Sequence, residues 1–474
     1  MAVKADILSS YPPVDEKAVD ELLTKEIENN HKKIVVLDDD PTGVQTVHDI
    51  SVYTNWTKDS IRKGFDEKNT LFYILTNSRG FTAAQTETAH REIASVVDAV
   101  SKETGKEYMF ISRSDSTLRG HYPLETVILK EEYEKNTGKK IDGEILCPFF
   151  KEGGRYTIDD VHYVRYGDTL VPAAETEFAK DKTFGYTASD LKEYVEEKTG
   201  GAYKKESVTS ISLTDIRNLD YDKIEAQLMA VEDFNKVIVN AIDYVDIKIF
   251  CVALFRAMAK GKSFMFRTAA AIVKVMGGVP DQPLLTREQM VVKETDNGGI
   301  IVIGSHTDKT TRQMEQLKEI PGIAFVELNA GLVKDEEAFA GEVERCLALE
   351  EEYISSGTTV CVYTTRTLIT ADTGDKEDDL RLAVRISDAV QSLVGRLTIV
   401  PSFVIAKGGI TSSDVGTKAL AVQRANVLGQ IRPGIPVWQT GDESKFPQTP
   451  YVIFPGNVGE DSTLKEAAEI LMGK

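Results

Sequence analysis

Short apolar runs that break off into polar, glycine- or aspartate-bearing loops and then into longer amphipathic stretches recur along this chain. The alternation constrains the fold more than any other feature, because strands alternating with helices read as βαβ units rather than as a sandwich or a helix bundle. An α/β architecture follows. In the first half, strands are expected at residues 34–37, 51–54, 71–76, 108–112, 144–147, 207–213 and 237–241. A helix is expected over 82–100, where Thr82-x-x-Gln85 reads as a capping box and apolar residues follow at helical spacing. A second helical stretch runs from Tyr244 to about Met276 and ends where glycine and proline replace periodicity, in GGVPDQPLLT. The domain boundary is placed there, giving an N-terminal extension over 1–33, a first domain over 34–285 and a second over 286–474. No internal repeat or low-complexity tract interrupts the pattern.

Residues 148–189 depart from it, with many aromatic, Gly, Arg and Asp residues and little apolar periodicity. A loop-rich stretch of this length inside a compact domain is usually functional or disordered, and its aromatic content argues against disorder. It is read as part of a ligand site.

Charge narrows the function. With 56 Lys+Arg against 75 Asp+Glu the formal net charge is −19. A dedicated nucleic-acid binder or a protein adsorbed on anionic lipid needs the opposite surplus, so neither is expected as a partner. Any anionic ligand must be held by a local arrangement. No apolar run reaches the ~18 residues of a membrane span, and the first residues lack the apolar core of a signal peptide, so a cytoplasmic place is expected. The four cysteines lie far apart without a CxxC, and three of them (Cys147, Cys251, Cys361) sit in apolar runs, as reduced core residues do. The six histidines show no HxxxH or HExxH spacing, which leaves a dedicated zinc site without support.

Polar clusters stand at the ends of predicted strands, the edge of an open α/β sheet where ligands bind. Asp38-Asp39-Asp40-Pro41-Thr42-Gly43 follows the first. Adjacent carboxylates repel unless they meet cations, hydroxyl donors or water, so the cluster suits Mg²⁺, polyol hydroxyls or a general base. Thr76-Asn77-Ser78-Arg79-Gly80 and Arg113-Ser114-Asp115-Ser116-Thr117-Leu118-Arg119-Gly120-His121 follow two others. They supply hydroxyls, acceptors, and arginines suited to a small anionic substrate. Arg155, His162 and Arg165 of the loop-rich segment are candidates to close the same pocket. In the second half three strands run into glycine turns at predicted helix starts: Gly304-Ser305-His306-Thr307, Gly408-Gly409-Ile410-Thr411-Ser412-Ser413 and Pro455-Gly456-Asn457-Val458-Gly459. Absent Cβ atoms, free N–H groups and the positive end of a helix dipole together seat phosphate. Thr411-x-x-Asp414 also reads as a capping-box variant, which would commit Thr411 to the helix.

Familiar signatures are missing. Gly261-Lys262-Ser263 is not a P-loop, because Arg256 stands where the first glycine belongs, and it reads as a basic helix end. There is no GxGxxG after a strand, no kinase HRD or DFG pair and no Gly-x-Ser-x-Gly, which disfavours dehydrogenases, protein kinases and α/β-hydrolases.

The DDDPTG run (38–43), DSTLRGH (115–121), GSHTDKTTRQ, GGITS (408–412) and PGNVG (455–459) occur in one order over about residues 34–470, and together they resemble the four-carbon acid sugar kinase family, formerly the domain of unknown function 1537. The resemblance implies two α/β domains, each a mainly parallel sheet flanked by helices, with the active site in the interdomain cleft. The activity it implies is ATP- and Mg²⁺-dependent phosphorylation of a hydroxyl on threonate, erythronate or a 3-oxo-tetronate. Asp39, Asp40 and Asp115 would be catalytic, while Asn77, Ser78, Arg79, Ser116, Arg119 and Arg155 would bind the sugar acid. Ser305, Gly408, Gly409, Thr411, Ser412 and Gly456 would bind ATP, with Mg²⁺ held mainly through its phosphates. Arg79 and Arg119 would clamp the carboxylate, and the base is left open between the first Asp cluster and Asp115. The chain departs from better-known members in reading Gly-Gly-Ile-Thr-Ser-Ser, where they often read GGxTSG with an acidic x, and in a longer, more aromatic insert at 148–189. A small-molecule sugar acid is the expected partner, and a homodimer stays open. The alternative is a non-catalytic two-domain sensor of a sugar acid or nucleotide.

Overall fold

The computed structural model describes residues 2–305, 307–367, 369–370, 376–456 and 458–474. The chain forms two compact units, Met1–Gly43 with Asn55–Asp281, and Val44–Thr54 with Gln282–Lys474. Among the described residues no helix is long and apolar enough to cross a membrane.

The first unit is built on a parallel sheet. Its order is Thr209–Ile211, Asn235–Val239, Gly143–Cys147, Phe264–Thr268, Tyr108–Arg113, Lys33–Asp38 and Leu71–Leu75. The strands are largely apolar because both faces are covered: Ile34, Val35, Val36, Phe72 and Tyr73 are fully buried, and the buried charges Glu144 and Lys236 pair with each other at 2.7 Å. Helix Ala83–Thr104 opens with the expected box, the Thr82 hydroxyl accepting from the Gln85 N–H while the Gln85 carbonyl oxygen accepts from the Thr82 N–H. The amphipathic helix Glu16–Asn29, in the stretch expected as an extension, packs on Tyr244–Ala259.

Two expectations need correction. The helical stretch from Tyr244 is not continuous. It stops at Ala259, turns at Gly261 with φ +103°, resumes as the strand Phe264–Thr268 and only then as helix Ala270–Met276. Residues 148–189 are not mainly loop. They carry the strands Arg155–Ile158, Val161–Tyr166 and Thr169–Pro172, joined antiparallel and completed by Val3–Lys4. The first hairpin turns through Asp159 and Asp160, both left-handed at φ +48° and +65°. Aspartate tolerates that conformation, and it matches the twist of the flanking strands.

The second unit is a mixed sheet in the order Ile50–Tyr53, Arg424–Arg432, Ile435–Thr440, Pro450–Phe454, Val404–Lys407, Ile300–Ile303, Thr359–Thr364 and Ile323–Leu328. The first three pairings are antiparallel and the last four parallel. The strand expected at 51–54 thus pairs with Arg424–Arg432 in this unit. Ile301, Ile303, Val452 and Phe454 meet Leu464, Ala468 and Leu471 of helix Thr463–Met472 in its core.

Candidate functional site

In the first unit the chemistry lies where the parallel strands end. Lys33–Asp38 delivers Asp38, Asp39 and Asp40. Arg113, the last residue of its neighbour strand, meets Asp38 at 2.6 Å and donates to the Asp40 carbonyl at 2.9 Å. Arg79 gives all three guanidinium nitrogens to carboxylates, Nε and Nη2 to Asp39 at 3.1 and 2.7 Å and Nη1 to Asp40 at 3.1 Å. The repulsion among the carboxylates is therefore met by two arginines. Burial pushes Asp39 up against the pull of Arg79 and Arg113. For Asp40 burial acts the same way, but Arg79, Arg113 and Thr42 outweigh it and hold the carboxyl below the usual range. Gly43 is a steric requirement, since a Cβ there would fall inside the Arg113 guanidinium and the Asp38 carboxylate.

The next strand end carries the loop of Asp115–Arg119. Its carbonyls are taken one after another by side chains from other elements. Arg267 donates to the oxygens of Asp115 and Arg119 at 3.0 and 2.9 Å, Tyr186 to that of Thr117 at 2.7 Å and Tyr194 to that of Leu118 at 2.8 Å. His162 Nε2 lies 2.8 Å from the Ser116 oxygen, and burial pushes this imidazole down to about 4, so it is neutral and holds its proton on Nε2 for that bond. Among the described residues the N–H groups of Ser116, Thr117, Arg119 and Gly120 have no hydrogen-bond acceptor. A loop whose carbonyls are all held from other elements and whose amides are unspent suits an anion or a hydroxyl oxygen. Asp115 accepts from Arg119 Nε at 2.7 Å and from the Thr117 hydroxyl. Burial raises this carboxyl, yet Arg119 and Arg79 win and hold it well below its ordinary range.

The expected residues thus fall into one connected cluster, Asp39 and Asp40 on Arg79, Asp115 on Arg119, with Arg79 close enough to bias Asp115. Arg155 adjoins it, and Arg119 and Arg155 both lie against the Phe178 ring, at 5.2 and 5.7 Å from its centroid. Asn77 is half-buried in a left-handed conformation, φ +56°, ahead of the turn Ser78–Gly80. Ser78 is fully buried and spends its hydroxyl on Glu125 at 2.6 Å. Ser116 is half-buried. The sequence reading passed over Glu125, which also accepts from Ser112 and Ser114 at 3.1 and 3.4 Å, and over Arg267, Tyr186, Tyr194 and Phe178. Only the two serines, spaced by two on one strand end, hinted at Glu125; nothing local signalled the others.

In the second unit the loops after Ile300–Ile303 and Val404–Lys407 approach closely. Gly408 is left-handed at φ +115°, and a Cβ on it would lie 3.4 Å from Ser305 Cβ; one on Gly304 would overlap the Thr411 hydroxyl. Ser305, Thr307 and Thr310 share a hydroxyl network at 3.0–3.3 Å. Three expectations change here. Gly408, not Thr411, stands at the N-cap of helix Gly409–Asp414, so the box from Thr411 to Asp414 is not formed. Ser412 is fully buried with its hydroxyl on the Ala406 carbonyl at 2.8 Å, where it serves the loop. Past Gly456 the next helix begins only at Thr463. His306 and Asn457 lie outside the described residues. The sequence reading also missed Lys407, which is fully buried, donates to the Pro455 carbonyl at 2.7 Å and is pushed down to about 7 by burial and by Lys309. Glycines that bring two loops together, hydroxyls between them and a cation fit the phosphates of a nucleotide. Among the described residues no group of three or more His, Cys, Asp or Glu is placed to hold a metal.

Comparison with known proteins bears on both units. Residues 34–276 match the sugar-binding N-terminal domain family and residues 300–464 the nucleotide-binding C-terminal domain family. A Haemophilus influenzae protein of the domain of unknown function 1537 superposes with TM-score 0.59 at 18% identity, over 92% of this chain and 100% of that one. A Salmonella typhimurium LT2 protein, provisionally described as a tRNA synthase, gives TM-score 0.65 at 15% identity over 92% and 98%. A Bordetella bronchiseptica protein, a domain-swapped dimer with bound citrate, aligns at 19% identity over 93% and 98% with TM-score 0.38. No curated protein matches the chain. At these identities the structural likeness establishes the fold alone.

Proposed function

We propose, from the premise that the chain belongs to the four-carbon acid sugar kinase family, formerly the domain of unknown function 1537, that it transfers the γ-phosphoryl group of ATP to a hydroxyl of a four-carbon sugar acid. Threonate, erythronate and the 3-oxo-tetronates are the substrate class. The observation that carries the reading is the Asp115–Arg119 loop with its carbonyls occupied and its amides free, beside carboxylates paired to arginine. Such a site takes hydroxyls on carboxylates and a negative group on amides and guanidinium.

Phosphoryl transfer needs positioning, charge neutralisation and a proton acceptor more than covalent chemistry. The substrate oxygen forms its bond to the γ-phosphorus as the bond to ADP breaks, and its proton passes to a carboxylate. Asp39 is the better acceptor, because burial holds it up while Asp115 and Asp40 are held low and favour accepting hydrogen bonds over protons. Gly120 keeps the space beside it clear, since a Cβ there would crowd Asp39 Oδ2 at 3.3 Å. In the second unit Ser305, Thr411, the glycines 408 and 409 and Lys407 would receive the phosphates. Mg²⁺ bound to the nucleotide would supply further charge neutralisation.

The test is ADP release across a panel of four-carbon sugar acids with Mg-ATP. Asp39→Asn is expected to lower kcat by at least 100-fold with little change in substrate binding, and Asp115→Asn to raise KM more than it lowers kcat. Nucleotide and sugar-acid binding without turnover on any member of the panel would identify a sensor instead.

A further inference from the structure

Arg155 is 5% exposed, and among the described residues no carboxylate lies within ion-pair distance of it. Its Nε is buried without a partner, and its Nη1 donates to the Gly153 carbonyl. A guanidinium taken out of water without a counter-charge is strongly unfavourable, and burial accordingly lowers its proton affinity. The chain nevertheless builds a frame for it. Phe150 and Arg155 exchange backbone hydrogen bonds of 3.0 and 2.9 Å around a turn closed by the Gly154 N–H on the Lys151 carbonyl at 2.9 Å. A Cβ on Gly153 would stand within contact of the Arg155 guanidinium and the Phe150 ring, and Gly154 is left-handed at φ +72°. Both glycines are needed to fold the arginine back over its own turn.

On its other flank Arg155 shares the Phe178 ring with Arg119. Arg79 is saturated by Asp39 and Asp40, whereas Arg119 spends only its Nε on Asp115, so among these arginines the guanidinium nitrogens left for a ligand are those of Arg155 and the two Nη groups of Arg119. Asp115 and Arg119 are the site charges that bias it, which puts it within electrostatic reach of the cluster.

We propose that Arg155, with Arg119 beside it on Phe178, is the seat of the substrate's carboxylate, and that the antiparallel sheet thereby selects anionic over neutral sugars. The assignment rests on the sugar-acid reading above and moves the main carboxylate contact from Arg79 to Arg155. A buried planar fork favours a carboxylate, whose two oxygens it meets together, and the low-dielectric surroundings strengthen the attraction. Phosphate offers related oxygens and is the competing ligand.

Calorimetric titration of the full chain without nucleotide tests this, using a tetronate, the corresponding uncharged tetritol, inorganic phosphate and a set of unrelated small carboxylates. Arg155→Gln is expected to weaken tetronate binding roughly 10- to 100-fold, the loss of a charge-assisted contact, and to leave the tetritol unchanged. Arg155→Lys, which keeps the charge but loses the fork, should fall between. The unliganded Arg155→Gln protein should melt at or above the wild-type temperature, because an unpaired buried charge has been removed; a structural arginine would give a clear drop, and that result overturns the proposal. Tetronate binding unchanged in Arg155→Gln also overturns it while leaving the kinase reading intact. Arg155-dependent binding of phosphate but not of carboxylates overturns the carboxylate assignment. If wild type ignores tetronates yet binds other small carboxylates through Arg155, the seat stands and the sugar-acid reading falls.

Discussion

Gly43→Ala is the sharpest perturbation of the first unit. The added methyl would occupy the space of the Arg113 guanidinium and Asp38 Oδ1, which now meet at 2.6 Å. Neither partner has room to withdraw, Arg113 being 4% and Asp38 1% exposed. The pair must separate inside the protein, and an uncompensated buried charge costs about 3–5 kcal/mol. Against this, alanine restricts the unfolded chain and returns about 0.4–1 kcal/mol. The net expectation is a loss of roughly 2–4 kcal/mol, which at about 2–4 °C per kcal/mol corresponds to a Tm lower by roughly 4–16 °C. Calorimetry of the full chain, with Trp56 reporting the first unit and Trp438 the second, reads the effect in the unit that holds the pair. Gly80→Ala is the control, since nothing lies within 4 Å of a Cβ there and the change should stay within about 0.5 kcal/mol. If Gly43→Ala is tolerated as well as Gly80→Ala, the contact of Arg113 with Asp38 is not what organises the aspartate loop.

Two further outcomes follow from the second unit. Glu350 is fully buried, with neither carboxyl oxygen partnered among the described residues, and burial first, then Glu351, raises it well above the ordinary range. The unfolded chain therefore releases this proton at a lower pH than the folded one, and stability falls as pH rises through the window above the unfolded value. Glu350→Met should stabilise by about 1–3 kcal/mol at pH 8 in urea denaturation, with the gain shrinking toward pH 4; a gain independent of pH would mean the carboxyl is not the source. Lys407, pushed down to about 7, is neutral above that pH and charged below it in the folded protein. Bound phosphates favour the charged form, so nucleotide affinity measured by calorimetry should fall between pH 7.5 and 9.5 in wild type and stay level in Lys407→Met. Parallel profiles would remove Lys407 from the nucleotide site.

The strand ends were legible because burial on both faces leaves an unbroken apolar run, as in Ile34-Val35-Val36-Leu37, and the polar residues that follow can only lie at the sheet edge. The Thr82 capping box was legible for a similar reason, its partners being three residues apart. Phe264–Thr268 was not, because a five-residue strand with only three apolar residues, set between two apolar helices, has no periodicity of its own. Nor was the small antiparallel sheet, whose first turn uses Asp159-Asp160 in place of glycine. Candidate residues were found where chemistry and position coincide in the chain, as for Asp39, Arg79 and Asp115. Their partners were not, since Tyr186 reaches Thr117 across 69 positions and Arg267 reaches Asp115 across 152.

The sequence by itself determined which residue types stand at the ends of which strands, because that depends on local pattern and on the geometry of a parallel sheet. Only the tertiary structure decided which of those side chains are already spent. Arg79, Ser78 and Ser412 are consumed by neighbours, while Arg155 and Lys407 are buried without a counter-charge among the described residues. The reason is physical: whether a polar group is free for a ligand depends on the sum of its hydrogen bonds and ion pairs, and in a folded chain most of those come from residues far away in sequence.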